Sequence, residues 1–229
     1  MCGRFVLMAL GKTLAEIFEV KEAIDEQPRY NVAPTQNVRI VRLNHQTAHR
    51  EMSMVKWGLI PSWAKDPSIG TRLINARSET VHQKPAFRAS FKSRRCLVPS
   101  DGFYEWEKKA KVKQPYLFRM VDDRPFAFAG LWDRWQAPDG KVTESCTIIT
   151  TPANERLISI HDRMPAILKP EDYGIWLDPA VKNPNALLEL MIPFPSELMT
   201  GIPVSTKVNR ASYDGPDCIE PIVIGESLF

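Results

Sequence analysis

Phe126-Ala127-Phe128-Ala129-Gly130-Leu131-Trp132, with Tyr116-Leu117-Phe118-Arg119-Met120 before it and Ser145-Cys146-Thr147-Ile148-Ile149-Thr150 after it, decides the fold class. The three runs are short and rich in aromatic and β-branched residues, and polar or proline-bearing segments bound them, which is the pattern of strands. Working outward, 38–43 reads as a strand on Val38, Ile40 and Val41, and 52–57 alternates as its neighbour across a polar turn. Thr13 and Glu16 have capping-box spacing, with Leu14, Ile17 and Phe18 forming a short amphipathic helix behind them. Residues 31–35 read as a loop, and 170–177 and 185–191 as helices. Strands outnumber helices and follow one another through short turns. That predicts an α+β fold, mainly antiparallel and barrel-like, with peripheral helices.

The chain of 229 residues carries 44% hydrophobic and 25% charged residues, the balance of an ordinary globular protein, and so is neither disordered nor fibrous. Nineteen Pro against eleven Gly argue for stiff connections and few glycine-rich phosphate loops. No repeat, low-complexity tract or linker divides it, so residues 1–229 read as a single domain. Cys2, Cys96, Cys146 and Cys218 show no CxxC pairing, and the four His show no ligand spacing around them, so neither a disulfide framework nor a metal site is expected. No N-terminal apolar stretch marks a signal peptide and no run of 18 apolar residues marks a membrane span. A reducing, cytoplasmic setting is the expectation.

The net charge of +3 conceals an asymmetry: residues 72–113 hold 11 Lys/Arg against 4 Asp/Glu, while the rest of the chain is slightly acidic. A basic segment of this kind suits a polyanion, although a solvated charged face has the same composition. The Lys108, Lys109, Lys111, Lys113 run reads as a solvated hairpin turn.

Four places carry chemistry. Removal of Met1 would leave Cys2 with a free α-amine of ordinary pKa about 7.7–8.0 beside a thiol of about 8.5. An amine and a thiol on adjacent carbons can take an aldehyde into a Schiff base and then a five-membered thiazolidine, with the effective molarity of an intramolecular closure. Burial as a small apolar residue is the plainer alternative for Cys2. Asn75, Arg77 and Glu79 alternate within the basic segment, on one face if the chain is extended, where Arg can grip a phosphate and Asn a hydroxyl or carbonyl. A structural network would look the same. Glu105 stands between Tyr104 and Trp106, a setting that suits a carboxyl for acid/base work and aromatics for stacking on unpaired bases, or equally an ordinary strand. Glu107 shares its face only if that segment is extended. His45 and His49 lie in a polar turn and His82 in a polar loop, whereas His161 sits in the charged knot His161-Asp162-Arg163 between apolar segments, a proton carrier or a structural histidine. Pro165 biases Met164 toward extended backbone.

Met1-Cys2-Gly3-Arg4-Phe5, Arg29-Tyr30-Asn31-Val32-Ala33-Pro34-Thr35, Trp57-Gly58-Leu59-Ile60-Pro61, Leu73-Ile74-Asn75-Ala76-Arg77-Ser78-Glu79-Thr80, Gly102-Phe103-Tyr104-Glu105-Trp106 and His161-Asp162-Arg163-Met164-Pro165 together resemble the SRAP family, the SOS response-associated peptidase family of abasic-site processing proteins. The resemblance runs from residue 2 to about Arg210, and residues 61–72 follow it least. It implies binding of single-stranded DNA containing an abasic site, during the DNA damage response, and a covalent link to it through Cys2, with an associated lyase activity and no metal or cofactor. Carried over by residue, it implies that Cys2 forms the thiazolidine, Asn75 orients its amine or the substrate, Glu105 moves protons, and His161 assists sugar-ring opening. Arg4, Arg77 and Arg163 would hold phosphates, and Trp106 and Trp63 would pack near the splayed strand. A monomer, cytoplasmic and associated with the nucleoid when bound to DNA, is expected. One alternative is an N-terminal-cysteine peptidase, open in principle to Cys2, His161 and Glu105, for which the sequence offers no glycine-rich oxyanion hole, and another is a non-catalytic single-strand DNA reader that uses Cys2 only for packing.

Overall fold

The structure, a computed structural model, describes residues 2–44, 46–109 and 112–223, and for Lys108, Lys109 and Val112 the backbone. In chain order the elements are β1 (Phe5–Leu7), α1 (Gly11–Phe18), β2 (Arg29–Val32), β3 (Asn37–Leu43), β4 (Arg50–Trp57), β5 (Asn75–Arg77), α2 (Arg88–Ser93), β6 (Arg95–Ser100), β7 (Gly102–Lys109), β8 (Val112–Met120), β9 (Phe126–Gln136), β10 (Val142–Pro152), β11 (Arg163–Pro165), β12 (Ile167–Leu168), α3 (Tyr173–Leu177), α4 (Pro184–Leu188) and β13 (Met199–Pro203). Short 3₁₀ turns fill several connections.

The quoted strands are the frame. β9 pairs along one edge with β6 and along the other with β10, and β10–β4–β3–β6 completes the ring, giving a five-stranded closed barrel. A second, fully antiparallel sheet runs β13-β8-β7-β1-β2. Phe5 and Phe103 of that sheet pack on Trp57 and Phe128 of the barrel, with ring centroids 5.3–6.0 Å apart. Each such aromatic contact adds to the area that its rings already remove from water. The antiparallel, barrel-like α+β expectation therefore holds, with one exception in direction. β10 runs parallel to β4 at Ser145↔Lys56 and Cys146↔Trp57, and then parallel to β5 from Ile148↔Asn75 to Thr150↔Arg77.

That handover needs Gly58. Its backbone has φ 127°, and a Cβ there would fall 2.6 Å from the Gly70 carbonyl oxygen, so only glycine lets the chain leave β4 while still bonded to Cys146 O. Several local readings need correction. Thr13 lies inside α1, whose N-cap is Leu10 without a side-chain hydrogen bond, so the capping-box spacing is coincidental. Asn31 and Val32 belong to β2, because pairing with β1 overrides the loop chemistry of the following Pro34. Glu79 falls in the turn after β5 rather than on its face. The hairpin expected at the lysine run is bracketed by Lys109↔Val112, while Lys111, like His45, lies outside the described residues. Glu107 does share a strand with Glu105. Among the described residues no helix is long and apolar enough to cross a membrane.

Candidate functional site around Cys2

Three groups of side chains occupy the ends of these strands. The first is built on β1 and β7. Their register Phe5↔Phe103 extends by the bond from Tyr104 N to Arg4 O (3.0 Å), and one further step sets Gly3 across from Glu105. Strand alternation puts Phe103 and Glu105 on the core face and Tyr104 and Trp106 on the other. Cys2 and Glu105 are both buried, at 0% and 3% exposure. Burial, and after it the negative charge of Glu105, push the Cys2 thiol far above its ordinary range. β1 is clasped by Asp101, whose carboxylate accepts from Met8 N (2.5 Å) and Ala9 N (2.9 Å), while Asp101 N donates to Val6 O. The Ser100-Asp101-Gly102 corner thus fixes the far end of β1.

The second group lies on the opposite face. Arg4 Nη1 donates to Asn31 Oδ1 and Val208 O, both at 2.8 Å, and its guanidinium stands 5.9 Å from the Trp106 ring centre. Trp106 Nε1 donates to Asn209 Oδ1, at the edge of an open cleft of about 620 Å³ lined by Thr206, Lys207, Asn209, Arg210 and Tyr213.

The third group follows β10. Asn75 Nδ2 donates to Ile148 O at 3.4 Å, while its Oδ1 is buried with no hydrogen-bond partner among the described residues. Arg77 is exposed. Arg163 forks onto Glu79 through Nη1 and Nη2 and also donates to Thr150 O. Arg163 N donates to His161 Nδ1 at 3.0 Å, and Asp162 Oδ1 lies 3.0 Å from that same nitrogen.

The sequence profile of the SOS response associated peptidase (SRAP) family matches residues 1–211. The chain belongs to the SRAP family. It is 41% identical over 224 residues to the abasic site processing protein YoqW of Bacillus subtilis, covering 96% of this chain and 99% of the relative. It is 34% identical over 227 residues to the abasic site processing protein HMCES of Xenopus tropicalis, covering 86% and 67%. A crystal structure of a Bacteroides thetaiotaomicron protein superposes with a TM-score of 0.84 at 28% identity, over 97% of this chain and all of that one.

In this SRAP chain the structure joins Cys2 to Glu105, Arg4 to Trp106, and the backbone N–H of Arg163 to the His161 ring. Trp63 stands apart on the surface, 57% exposed, where it lines a shallow cleft with Pro85, Arg88 and Ala89. Arg77, Lys84, Arg88 and Lys92 are exposed and show no ion pair among the described residues, so much of the basic surplus is free surface charge. Sequence reasoning missed the part played by Arg29-Tyr30-Asn31. Asn31, fully buried, donates from Nδ2 to the carbonyls of Val208, Arg210 and Tyr213, and Asp214 accepts from Arg29 and from the backbone of Tyr30 and Asn31. This SRAP motif docks the 205–214 segment that flanks Trp106. A polar triplet in an otherwise loop-like stretch was the signal available. Among the described residues no group of three or more His, Cys, Asp or Glu is placed to hold a metal ion.

Proposed function

We propose that this protein binds single-stranded DNA carrying an abasic site and joins itself to the lesion as a thiazolidine through Cys2. The observation that carries the reading is the buried Cys2 thiol beside Glu105. The names of YoqW and HMCES, both abasic site processing proteins, support it. The reading requires removal of Met1, which lies outside the described residues.

The chemistry follows from the two nucleophiles. The α-amine of Cys2 adds to the aldehyde of the ring-opened deoxyribose and loses water to give the Schiff base. The thiol then adds across the C=N bond: the S–C bond forms at carbon and the thiol proton ends on nitrogen. A thiol held protonated by burial and by Glu105 favours that order, because the amine rather than a thiolate is then the first nucleophile. Glu105 carries the proton from sulfur to nitrogen, His161 assists opening of the sugar ring, and Asn75 orients the amine or the substrate. Arg4 and Arg77 hold flanking phosphates, while Arg163, expected with them from the sequence, commits Nη1 and Nη2 to Glu79 and Thr150 O, and Trp106 and Trp63 pack beside the splayed strand. Elimination at the Schiff-base stage would supply lyase activity. The same reading treats residues 1–229 as one SRAP domain acting as a monomer, and a cytoplasmic, nucleoid-associated place follows from the substrate.

The test is a denaturing gel with abasic single-stranded DNA, alongside intact mass to establish loss of Met1. Wild type is expected to give a heat-stable adduct and Cys2→Ala none. An unchanged adduct in Cys2→Ala overturns the mechanism. Peptidase chemistry, the activity in the family's description, would use the same cysteine but predicts no DNA adduct. Affinity should fall steeply with salt, and a flat response removes the phosphate contacts.

A further inference from the structure

We propose that Glu79 is a positioning residue for His161, acting through Arg163; the proposal rests on the covalent reading above for its kinetic consequence. Glu79 lies in the turn after β5 and touches neither Cys2 nor Glu105 through any hydrogen bond or ion pair described above. It reaches His161 in two steps. Its two carboxylate oxygens accept from Nη1 and Nη2 of Arg163, the second at 3.0 Å. The same guanidinium donates to Thr150 O, which also accepts from Ser78 N at 2.9 Å. The fork therefore ties the β5 turn, the last residues of β10 and the start of β11 to one another. A planar guanidinium gripping a carboxylate through two bonds allows little rotation about either partner. The Glu79 carboxyl is held below its ordinary range by these bonds, consistent with a pair that stays charged.

At the far end of this clamp, the backbone N–H of Arg163 donates to His161 Nδ1. An imidazole nitrogen that accepts a hydrogen bond carries no proton, so while this bond is made the neutral ring holds its proton on Nε2. Asp162 Oδ1, 3.0 Å from the same Nδ1, is a partner that nitrogen can use only when it is itself protonated. The Arg163 N–H and the Asp162 carboxylate thus serve different charge states of one ring. The Glu79–Arg163 clamp keeps the N–H that serves the neutral state in place. Without Glu79 the Arg163 side chain, 11% exposed, loses its carboxylate and must seek another partner or solvent. The start of β11, which carries that N–H, then keeps its pairing with β10 but loses its tie to the β5 turn, and the share of Nδ1–H bonded to Asp162 rises.

The experiment combines histidine-ring ¹⁵N NMR with single-turnover crosslinking to an abasic single-stranded oligonucleotide, on wild type, Glu79→Ala and Glu79→Gln. His161 is assigned by the signal lost in His161→Gln. Wild type is expected to show the proton on Nε2 and a bare Nδ1. Glu79→Ala should move the ring toward mixed tautomers and slow crosslinking about tenfold at saturating DNA, part of the ~10²–10⁴ that a positioned acid or base contributes. Its affinity for a strand with a non-reactive abasic analogue should not weaken. Glu79→Gln, which can still accept from one Arg163 nitrogen, should show both changes to a smaller degree, and it carries the test if Glu79→Ala does not fold. A wild-type ring protonated on Nδ1 overturns the proposal. So does a rate loss in either variant with wild-type ring shifts, which would mean Glu79 acts elsewhere. If wild type makes no adduct, the covalent reading fails, while the ring shifts still decide whether Glu79 orients His161.

Discussion

Glu105 lies close enough to Cys2 that its carboxylate, added to the effect of burial, raises the thiol far above its ordinary range. The same carboxylate carries the proton of that thiol in the proposed reaction. Glu105→Gln should therefore separate two properties that usually move together. With the negative charge gone the thiolate becomes less unfavourable, so alkylation of Cys2 by iodoacetamide at a given pH is expected to speed up. Crosslinking to abasic DNA is expected to slow by about 10²-fold, the lower part of the range for loss of a general acid or base. Mass spectrometry of the Cys2 peptide and single-turnover gels check the two arms.

All four cysteines are buried, and burial is the leading cause that raises each thiol. Ellman's reagent at neutral pH is expected to label less than one thiol per native chain and all four in guanidinium chloride.

Arg95 is a buried cation with no carboxylate in its hydrogen-bond set. It donates to the carbonyls of Phe91, Lys92, Trp176, Asp178 and Val181, which gathers the ends of α2 and α3 onto β6, and burial lowers its pKa to about 10. Arg95→Met strands those acceptors in a dry site and should destabilise the fold by about 3 kcal/mol or more, measured by urea unfolding.

Asn31→Ala removes three donations to the 205–214 segment and the acceptor for Arg4. The expected cost is about 2 kcal/mol. Faster tryptic cleavage after Lys207 and Arg210 should accompany it, because the lost bonds are those that hold that segment down.

The Glu79–Arg163 pair supplies a pH dependence. The hydrogen bonds from Arg163 hold the Glu79 carboxyl below its ordinary value, and in the unfolded chain it titrates near ~4.3. Its contribution is therefore fully present above that pH and is lost as pH falls through and below the folded value. Because the Glu79 side chain is 47% exposed, solvent screening limits the effect to about 1 kcal/mol. Stability of wild type minus Glu79→Gln, from urea melts, should be largest near pH 7 and shrink toward pH 3.

The strands were legible where apolar or β-branched runs were long enough: β3, β4, β8, β9 and β10 all contain the segments read from pattern alone. β1, β5, β11 and β12 have two or three residues each, too few for any period to show, and they exist because longer neighbours offer them an edge. β2 escaped because Asn31 and the nearby Pro34 have turn chemistry, which pairing with β1 overrides. The helical readings at 170–177 and 185–191 held, each as a 3₁₀ turn joined to one short α-helix.

The candidate site divides along the same line. Sequence by itself determined which side chains are candidates for the proposed chemistry, since a cysteine at position 2 that Met1 removal would make a 1,2-aminothiol, a carboxylate between aromatics and a basic segment are properties of residue types and their order. It also determined membership of the SRAP family, whose motifs lie in order along the chain. Tertiary structure alone decided which of those residues meet. Cys2 and Glu105 are 103 positions apart and come together because β1 and β7 pair antiparallel. Glu79 and Arg163 are 84 positions apart and come together because β10 binds β5 on one edge and β11 on the other. The hydrogen bonds between strands are made by backbone groups that every residue carries, so their partners depend on register and topology rather than on local composition. That is why the basic surplus could be counted in advance, while the commitment of Arg163 to Glu79 and of Arg4 to Asn31 appeared only once the strands were in place.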